Sequence, residues 1–338
     1  MKPITIKDIA RTLGMSHSTV SRALSDHPQV SQETKAAVRL AAENVGYVPN
    51  ASGRIIRGEP GTLIGLVIPD VRNDFYSAIA KGLAERCRVA GRQLVLAITE
   101  DDAEAERNEV QSLIGARAAG IVITPSPSPS ARTLAMLTTV PTVQLVRNIG
   151  KLKTDTVSMN DKNAIREATE HLFAAGHRRL GYVGTYADVS AGRHRFDGFR
   201  CAHANAGIVL DADAVALVPP REGFGFESTM RLLDLKNRPT GIVVGSSELT
   251  VGALKCIASR GLSVPGDIAV VGYGDPEWYQ LLPTPLTAMR LPVDDLADAV
   301  VNCLFKRIDA LRARDDKKVR LTHISIDPVL IVRQSTRR

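Results

Sequence analysis

The stretch from Thr5 to Leu24 reads TIKDIARTLGMSHSTVSRAL and predicts two short helices joined by a tight turn. Thr5 is the predicted cap of the first helix, and Asp8 stands three residues on, where a capping box has its acid. The apolar residues of this helix recur at the spacing of one helical face: Ile6, Ile9, Ala10 and Leu13. Gly14 is predicted to end the helix, because glycine tolerates the left-handed backbone of a helix C-terminus.

The second predicted helix is capped by Ser16 and has a polar outer face. Val20 and Leu24 point to one side of it, and the other side carries polar groups: His17, Ser18, Ser21, Arg22 and Ser25. A third helix, capped by Ser31, completes a small all-α domain over residues 1–49. Two short helices of this kind are typical of a helix-turn-helix, and an unrelated small helical bundle is the alternative.

Residues 50–61 form a short segment after this domain, with Asn50 as a possible helix cap. So short a helix is not stable alone in water. Arg54 lies beside an Ile-Ile pair that ends in Ile56, and an exposed apolar pair of this kind needs a partner. Minor-groove binding proteins insert apolar wedges between base steps while arginines hold the phosphates. We therefore predict a DNA-contacting hinge, with a plain interdomain linker as the alternative.

The composition indicates an ordinary globular protein with a basic head. The 338 residues carry a net charge of +7, and 44% of them are apolar. Residues 1–60 hold eight Lys/Arg and five Asp/Glu, an excess that suits a polyanionic partner. The four cysteines are far apart and form no C-x-x-C motif, as expected in a reduced compartment. Without a secretion signal or a long apolar run, the protein is expected to be cytoplasmic and not to span a membrane.

From Thr62 the pattern changes to alternating strands and helices. Two successive series of similar size predict two doubly wound parallel-sheet lobes. Ligands of such sheets bind beyond the carboxyl ends of the strands, so the predicted site is a cleft between the lobes. Residues that directly follow predicted strands are the candidates for its lining: Asn73, Phe75, Arg147, Asp161, Arg195, Ser246, Ser247, Glu248, Asp275 and Trp278. For Trp278, stacking on a ligand and burial in the core are equally open.

The chain resembles the LacI/GalR family of transcriptional repressors over nearly its whole length. The matching motifs are T-x-x-D-I-A, T-V-S-R-A-L and G-Y-x-P-N in the head, and GHRRLGYVG, R-F-D-G-F and VPGDIAVVGY in the body. The resemblance implies a sequence-specific DNA-binding repressor with a periplasmic-binding-protein-like body over residues 62–338, whose operator affinity a small-molecule effector modulates. It also implies lobe 1 at about 62–159 plus 291–322, and lobe 2 at about 160–290 plus 323–338.

The resemblance assigns roles to single residues as well. Base contacts in the major groove fall on His17, Ser18 and Arg22, and Ile56 stands where the family usually has a leucine wedge. Hydroxyls near helix starts are expected to hold phosphate oxygens: Thr5, Ser16, Ser21 and Ser31. Effector contacts fall on five of the residues that follow strands: Phe75, Arg147, Arg195, Ser246 and Gly274.

Two departures from the family pattern bear on the effector. Members that bind neutral sugars often have Asp where this chain has Gly274, and Asn-Asp where it has Ser246-Ser247. With Arg147 and Arg195 kept and those carboxylates absent, we expect a positively charged pocket. The arginine fork matches carboxylates and phosphates, so the expected effector bears such a group, as a sugar acid does.

Other classes of function have less support. The sequence has no G-x-x-x-x-G-K-[ST], G-x-G-x-x-G, G-x-S-x-G or H-E-x-x-H motif, and His171 and His177 form no recognisable zinc site. We therefore expect a protein that is not an enzyme and needs no cofactor or metal. A non-catalytic solute-binding protein is the alternative, followed by an enzyme with an unrecognised site. The two-fold symmetry of a pseudo-palindromic operator, and the lack of leucine heptads after the body, predict a homodimer.

Overall fold

The computed structural model describes residues 4–47, 61–313 and 320–337. The chain divides into two compact units, a helical head that ends at Gly61 and an α/β body that begins at Thr62. Among the described residues, no helix has the length and apolar character needed to cross a bilayer. The predicted hinge contacts Asn50, Arg54 and Ile56 lie outside the described residues.

The head is a three-helix bundle around a small apolar core. Its helices are α1 (Ile6–Leu13), α2 (His17–Leu24) and α3 (Gln32–Asn44). Ile9, Val20 and Val38, one from each helix, are fully buried where the helices meet. The capping box predicted for α1 is present, because the backbone N and Oγ1 of Thr5 donate to the Asp8 carboxylate at 2.9 and 2.7 Å.

The starts of α2 and α3 are fixed by serine caps, as predicted. The Ser16 hydroxyl accepts a hydrogen bond from the backbone N of Thr19 at 3.0 Å, and Ser31 does the same for Thr34 at 3.2 Å. Each cap satisfies one of the backbone donors that a helix start leaves unpaired, which stabilises the helix by about 1 kcal/mol. The first residues of α2 and α3 are therefore set by local contacts.

Lobe 1 of the body is a parallel sheet of six strands with helices packed on it. The strands are β1 (Leu63–Ile68), β2 (Gln93–Ile98), β3 (Gly120–Ile123), β4 (Thr142–Leu145), β5 (Asp155–Met159) and β11 (His323–Ile326), in the order β11-β5-β4-β3-β1-β2. The helices are α4 (Asp74–Val89), α5 (Ala103–Gly115), α6 (Ala131–Leu137) and α11 (Val293–Arg312). The central strands are apolar and buried along their length, as parallel strands covered on both faces must be.

Lobe 2 repeats this architecture. Its strands are β6 (Leu180–Thr185), β7 (Val215–Val218), β8 (Gly241–Val244), β9 (Ala269–Tyr273), β10 (Thr287–Arg290) and β12 (Val329–Ile331), in the order β12-β10-β9-β8-β6-β7. The helices are α7 (Asp161–Ala174), α8 (Ser190–Ala206), α9 (Glu222–Leu233) and α10 (Ser247–Ser259). All its strand pairs are parallel except β12, which runs antiparallel to β10.

The chain crosses between the lobes three times, after β5, after β10 and after β11. The predicted boundary at residue 323 is wrong, because β11 belongs to lobe 1 and pairs in parallel with β5. His323 lies opposite Thr156, and the Thr156 hydroxyl is 2.7 Å from its Nδ1. The sequence HISIDPVLIV looks like one continuous strand, but Pro328 cannot donate to a ladder, and the chain changes sheets there.

Candidate functional site

The carboxyl ends of the strands of both lobes face a common cleft. It encloses about 520 Å³, within the range of roughly 300–1,000 Å³ that small-molecule sites occupy. Loops after β1, β2 and β4 line it from lobe 1, and loops after β6, β7 and β8 line it from lobe 2. The structure brings five of the predicted lining residues together in its wall: Asn73, Arg147, Arg195, Ser246 and Glu248.

Arg147 is buried in the wall of lobe 1, where it forms a bidentate ion pair with Asp101. Its Nη1 also donates to the carbonyl oxygen of Pro125 at 3.2 Å. From lobe 2, the hydroxyl of Tyr186 donates to Asp101 Oδ2 at 3.2 Å. Burial, together with the adjacent Asp101 carboxylate, raises the pKa of Tyr186 to about 12. The Arg147 charge is therefore neutralised within the protein, and its partner Asp101 joins the two lobes.

Arg195 is buried at the start of α8 and is held on three sides. Its Nε donates to Asp161 Oδ1 at 2.7 Å, its Nη1 donates to Gly245 O at 2.9 Å, and its guanidinium lies 4.1 Å from the centre of the Tyr273 ring. The close packing of α8 on α7 makes this possible: a Cβ at Gly198 would lie 2.3 Å from the carbonyl oxygen of Lys162. Arg195 is therefore a fixed donor of the cleft wall whose charge is compensated from behind.

A second contact between the lobes involves Glu248, in the first turn of α10. Asn73 caps α4 through its Oδ1, which accepts from Phe75 N at 2.8 Å, and its Nδ2 donates to the Glu248 carboxylate across the cleft. Ser246 caps α10 and also donates to Glu248 Oε2 at 3.2 Å. Burial raises the pKa of the Glu248 carboxyl above its ordinary value.

The other five predicted lining residues do not line the cleft; among them, the Ser247 hydroxyl donates to the carbonyl oxygen of Tyr273 at 3.1 Å. Phe75 packs in the core of lobe 1, and Asp161 lies behind Arg195. Asp275 is buried between Arg290 and Arg333, at 2.8 and 2.7 Å. Trp278 packs against Tyr279 with ring centres 4.4 Å apart. Each follows a strand, as a lining residue would, but its own ion pair, hydrogen bond or apolar contact turns it away from the cavity.

Sequence reasoning missed several lining residues, of which Asp101, Tyr186 and Arg221 carry the polar chemistry. All three follow strands of the sheets, so the rule that selected Arg147 applies to them as well. Asp101 stands in a run of acids that looks like a solvated turn, and Arg221 follows a short edge strand with two prolines. Arg221 has no ion-pair partner among the described residues.

Replacing Tyr186 with phenylalanine should lower the free energy of unfolding by about 1 kcal/mol, because it removes one hydrogen bond between the lobes. Urea denaturation followed by circular dichroism would measure this. In an Asp101→Asn background the same substitution should have a smaller effect, because its acceptor has lost its charge. Equal effects in both backgrounds would show that the Tyr186 hydroxyl does not stabilise the protein through the Asp101 carboxylate.

The outer face of α2 is the candidate nucleic-acid interface of the head. Ser16, His17, Ser18 and Arg22 are exposed, and Ser21 is half-buried. The side chains of His17 and Arg22 form no hydrogen bond or ion pair with any described residue. The hydroxyls of Thr5 and Ser31, at the starts of α1 and α3, are also exposed. Polar side chains on an exposed helix face are what base-edge and phosphate contacts require.

No group of His, Cys, Asp and Glu suited to a metal ion occurs among the described residues.

Two family models match the chain: "Bacterial regulatory proteins, lacI family" over residues 5–50, and "Periplasmic binding protein-like domain" over residues 169–336. The ribose operon repressor of Escherichia coli (strain K12) is 29% identical over 333 residues, which cover 98% of this chain and 99% of that protein.

Solved structures with the same architecture are also similar to this chain. The lac repressor dimer bound to operator and the anti-inducer ONPF matches with a TM-score of 0.85 at 25% identity, over 100% of both chains. The transcriptional regulator CelR in complex with cellobiose matches with a TM-score of 0.73 at 26% identity, over 98% of this chain and 99% of that one. The predicted fold, a helical head followed by two parallel-sheet lobes, is confirmed.

Proposed function

Because the chain belongs to the LacI/GalR family of bacterial transcriptional regulators, it is a DNA-binding regulator and not an enzyme, and we propose that it acts in the cytoplasm as a homodimeric repressor. Each head, residues 1–49, lays α2 in the major groove of a pseudo-palindromic operator. Residues 50–61 act as the hinge in the minor groove. The similarity to a dimer bound to its operator supports both the dimer and the operator.

Within this proposal the residues of the head divide into two groups. His17, Ser18 and Arg22 contact base edges, because they project from the exposed face of α2. Hydroxyls at or near helix starts hold phosphate oxygens and set the position of the head: Thr5, Ser16, Ser21 and Ser31. In the hinge, Asn50, Arg54 and Ile56 are the proposed contacts.

The effector that we propose is a small, sugar-derived molecule held in the cleft. The observation that carries this is the cleft itself, about 520 Å³ between two lobes with hydrogen-bonding groups converging from both sides. The names of similar proteins refer to a ribose operon and to a cellobiose complex, which supports a sugar-like ligand. A ligand that binds one arrangement of the lobes more tightly than another changes the affinity of the protein for its operator. Binding of the operator then changes the affinity for the ligand by the same factor.

We also propose that the effector bears an acid group, which Arg221 binds in place of Arg147 and Arg195. Arg147 and Arg195 add no net charge to the cleft, because Asp101 and Asp161 compensate them. Arg221 is the lining cation without an ion-pair partner among the described residues, so it is the proposed contact of a carboxylate or phosphate.

Isothermal titration with matched pairs, D-glucose against D-gluconate and D-ribose against D-ribonate, should show tighter binding of the acid. A charge-assisted hydrogen bond is worth about 1.5–3 kcal/mol, or roughly 10- to 150-fold. The variant Arg221→Gln should abolish this preference and leave the affinity of the neutral sugar within about threefold. Tighter binding of the neutral partner in both pairs would contradict the acid group and leave the DNA-binding function standing.

A further inference from the structure

The carboxylates of the cleft wall differ in how they are compensated. Asp101 is paired with Arg147, and Asp70 with Arg72 at 2.8 Å. Behind the wall, Asp161 is paired with Arg195 at 2.7 Å. Glu248 also lines the cleft and is half-buried, but it forms no ion pair with any cation of the described chain. Its hydrogen-bond donors are Asn73 Nδ2, Ser246 Oγ and its own backbone N–H, and all three are neutral.

This arrangement leaves Glu248 with unused capacity to accept hydrogen bonds. A carboxylate offers about four lone-pair sites, and the side chains of Asn73 and Ser246 together with the backbone N–H of Glu248 occupy three. A carboxylate removed from water without compensating donors is costly, and that cost is why burial raises the pKa of Glu248. A bound molecule with hydrogen-bond donors would relieve this cost, because it would fill the free site while still excluding water.

The position of Glu248 also sets which donors reach it. It belongs to lobe 2 but is held by Asn73 of lobe 1, so a group bonded to it lies where both lobes meet. The neighbouring Asp70 carboxylate disfavours a second anion at this point and contributes to the raised pKa of Glu248. An uncharged donor such as a hydroxyl is therefore a better fit here than an acid group.

We propose that Glu248 is a specificity-determining residue of the cleft, which accepts a hydrogen bond from a hydroxyl group of the effector at the junction of the two lobes. This rests on the proposed sugar-like effector and adds a second recognition point to Arg221. The effector then presents a hydroxyl to Glu248 and its acid group to Arg221. Asn73 positions the carboxylate, and Ser246 holds it from its own lobe.

The test pairs Glu248→Gln with single-deoxy ligands in a thermodynamic cycle. The probes are D-ribose, D-ribonate, D-glucose and D-gluconate, followed by the monodeoxy forms of whichever the wild type binds. Glu248→Gln keeps the size of the side chain but removes its charge, so affinity for the hydroxylated probe should fall by about 10- to 100-fold. Glu227→Gln, an exposed substitution on α9 of the same lobe, should change affinity by no more than about twofold.

The cycle separates a direct contact from a general disturbance of the cleft. Removal of the contacting hydroxyl from the ligand should weaken wild-type binding by about tenfold or more and should have little further effect in Glu248→Gln. Equal affinities of wild type and Glu248→Gln, or effects that add for every deoxy probe, would overturn this proposal alone. If the wild type bound none of the four probes, the proposed effector class would fail, and the role of Glu248 would fail with it.

Discussion

Replacing Asp161 with alanine should lower the free energy of unfolding by about 3–5 kcal/mol, the largest effect that we expect from any single substitution in the body. Asp161 is 2% exposed and accepts hydrogen bonds from Arg195 Nε at 2.7 Å and from the Tyr273 hydroxyl. Its removal would leave the Arg195 guanidinium, itself 7% exposed, as a buried charge without an ionic partner. Urea denaturation would measure the change.

Two further variants make this expectation specific. Asp161→Asn keeps the volume and one acceptor, so its loss should be smaller than that of the alanine variant. Asp197→Ala removes an aspartate of the same lobe whose side chain is 39% exposed and whose ion pair with Arg200 is 3.4 Å long, and it should cost less than about 1 kcal/mol. Similar losses for Asp161→Ala and Asp197→Ala would mean that the buried pair does not hold α7 against α8.

Replacing Arg22 with alanine should remove about 1–3 kcal/mol of discrimination at one base pair of each half-site, roughly 5- to 150-fold. The Arg22 side chain is exposed on α2 and forms no hydrogen bond or ion pair with any described residue. Its guanidinium can therefore donate two hydrogen bonds to O6 and N7 of a guanine. Duplexes enriched from a random library by the wild-type protein supply the operator. Fluorescence anisotropy with each single-base variant of that operator would then give the preference.

Arg11→Ala is the matched control for this experiment. Arg11 lies on α1 with 82% of its side chain exposed, so its replacement removes the same charge from the same domain. It should leave base preference unchanged, whatever its effect on overall affinity. If Arg22→Ala weakened all duplexes equally and lowered the salt dependence, Arg22 would be a phosphate contact and not a reader of sequence.

The sequence predicted the fold well because local signals and hydrophobic periodicity agreed. Thr5, Ser16 and Ser31 cap the helices where their side chains predict caps, and the runs of apolar residues became buried strands. The assignment of β11 was wrong because two short strands of different sheets are separated by two residues. Periodicity shows that a segment is extended, but the choice of sheet depends on its neighbours in space.

The site was predicted less well, and the reason is electrostatic. A residue that follows a strand can point into the cleft or behind it, and the choice depends on partners that are distant in sequence. Arg147 looks like a free cation until Asp101, which is 46 residues earlier, is found beside it. In the same way, the absence of carboxylates at Gly274 and Ser247 suggested a positive pocket, whereas Asp101 and Asp161 compensate the two arginines and Glu248 adds a further carboxyl group.

The three crossings between the lobes have a consequence for how a gene of this kind can change. The strands of the two lobes alternate along the chain, so no single continuous segment contains all the strands of one lobe and none of the other. A single contiguous exchange therefore cannot transfer one complete sheet without also carrying strands of the other. The head is one continuous stretch of the chain that ends at Gly61. A single exchange can therefore replace the head as a unit, but it cannot replace either lobe of the body in this way.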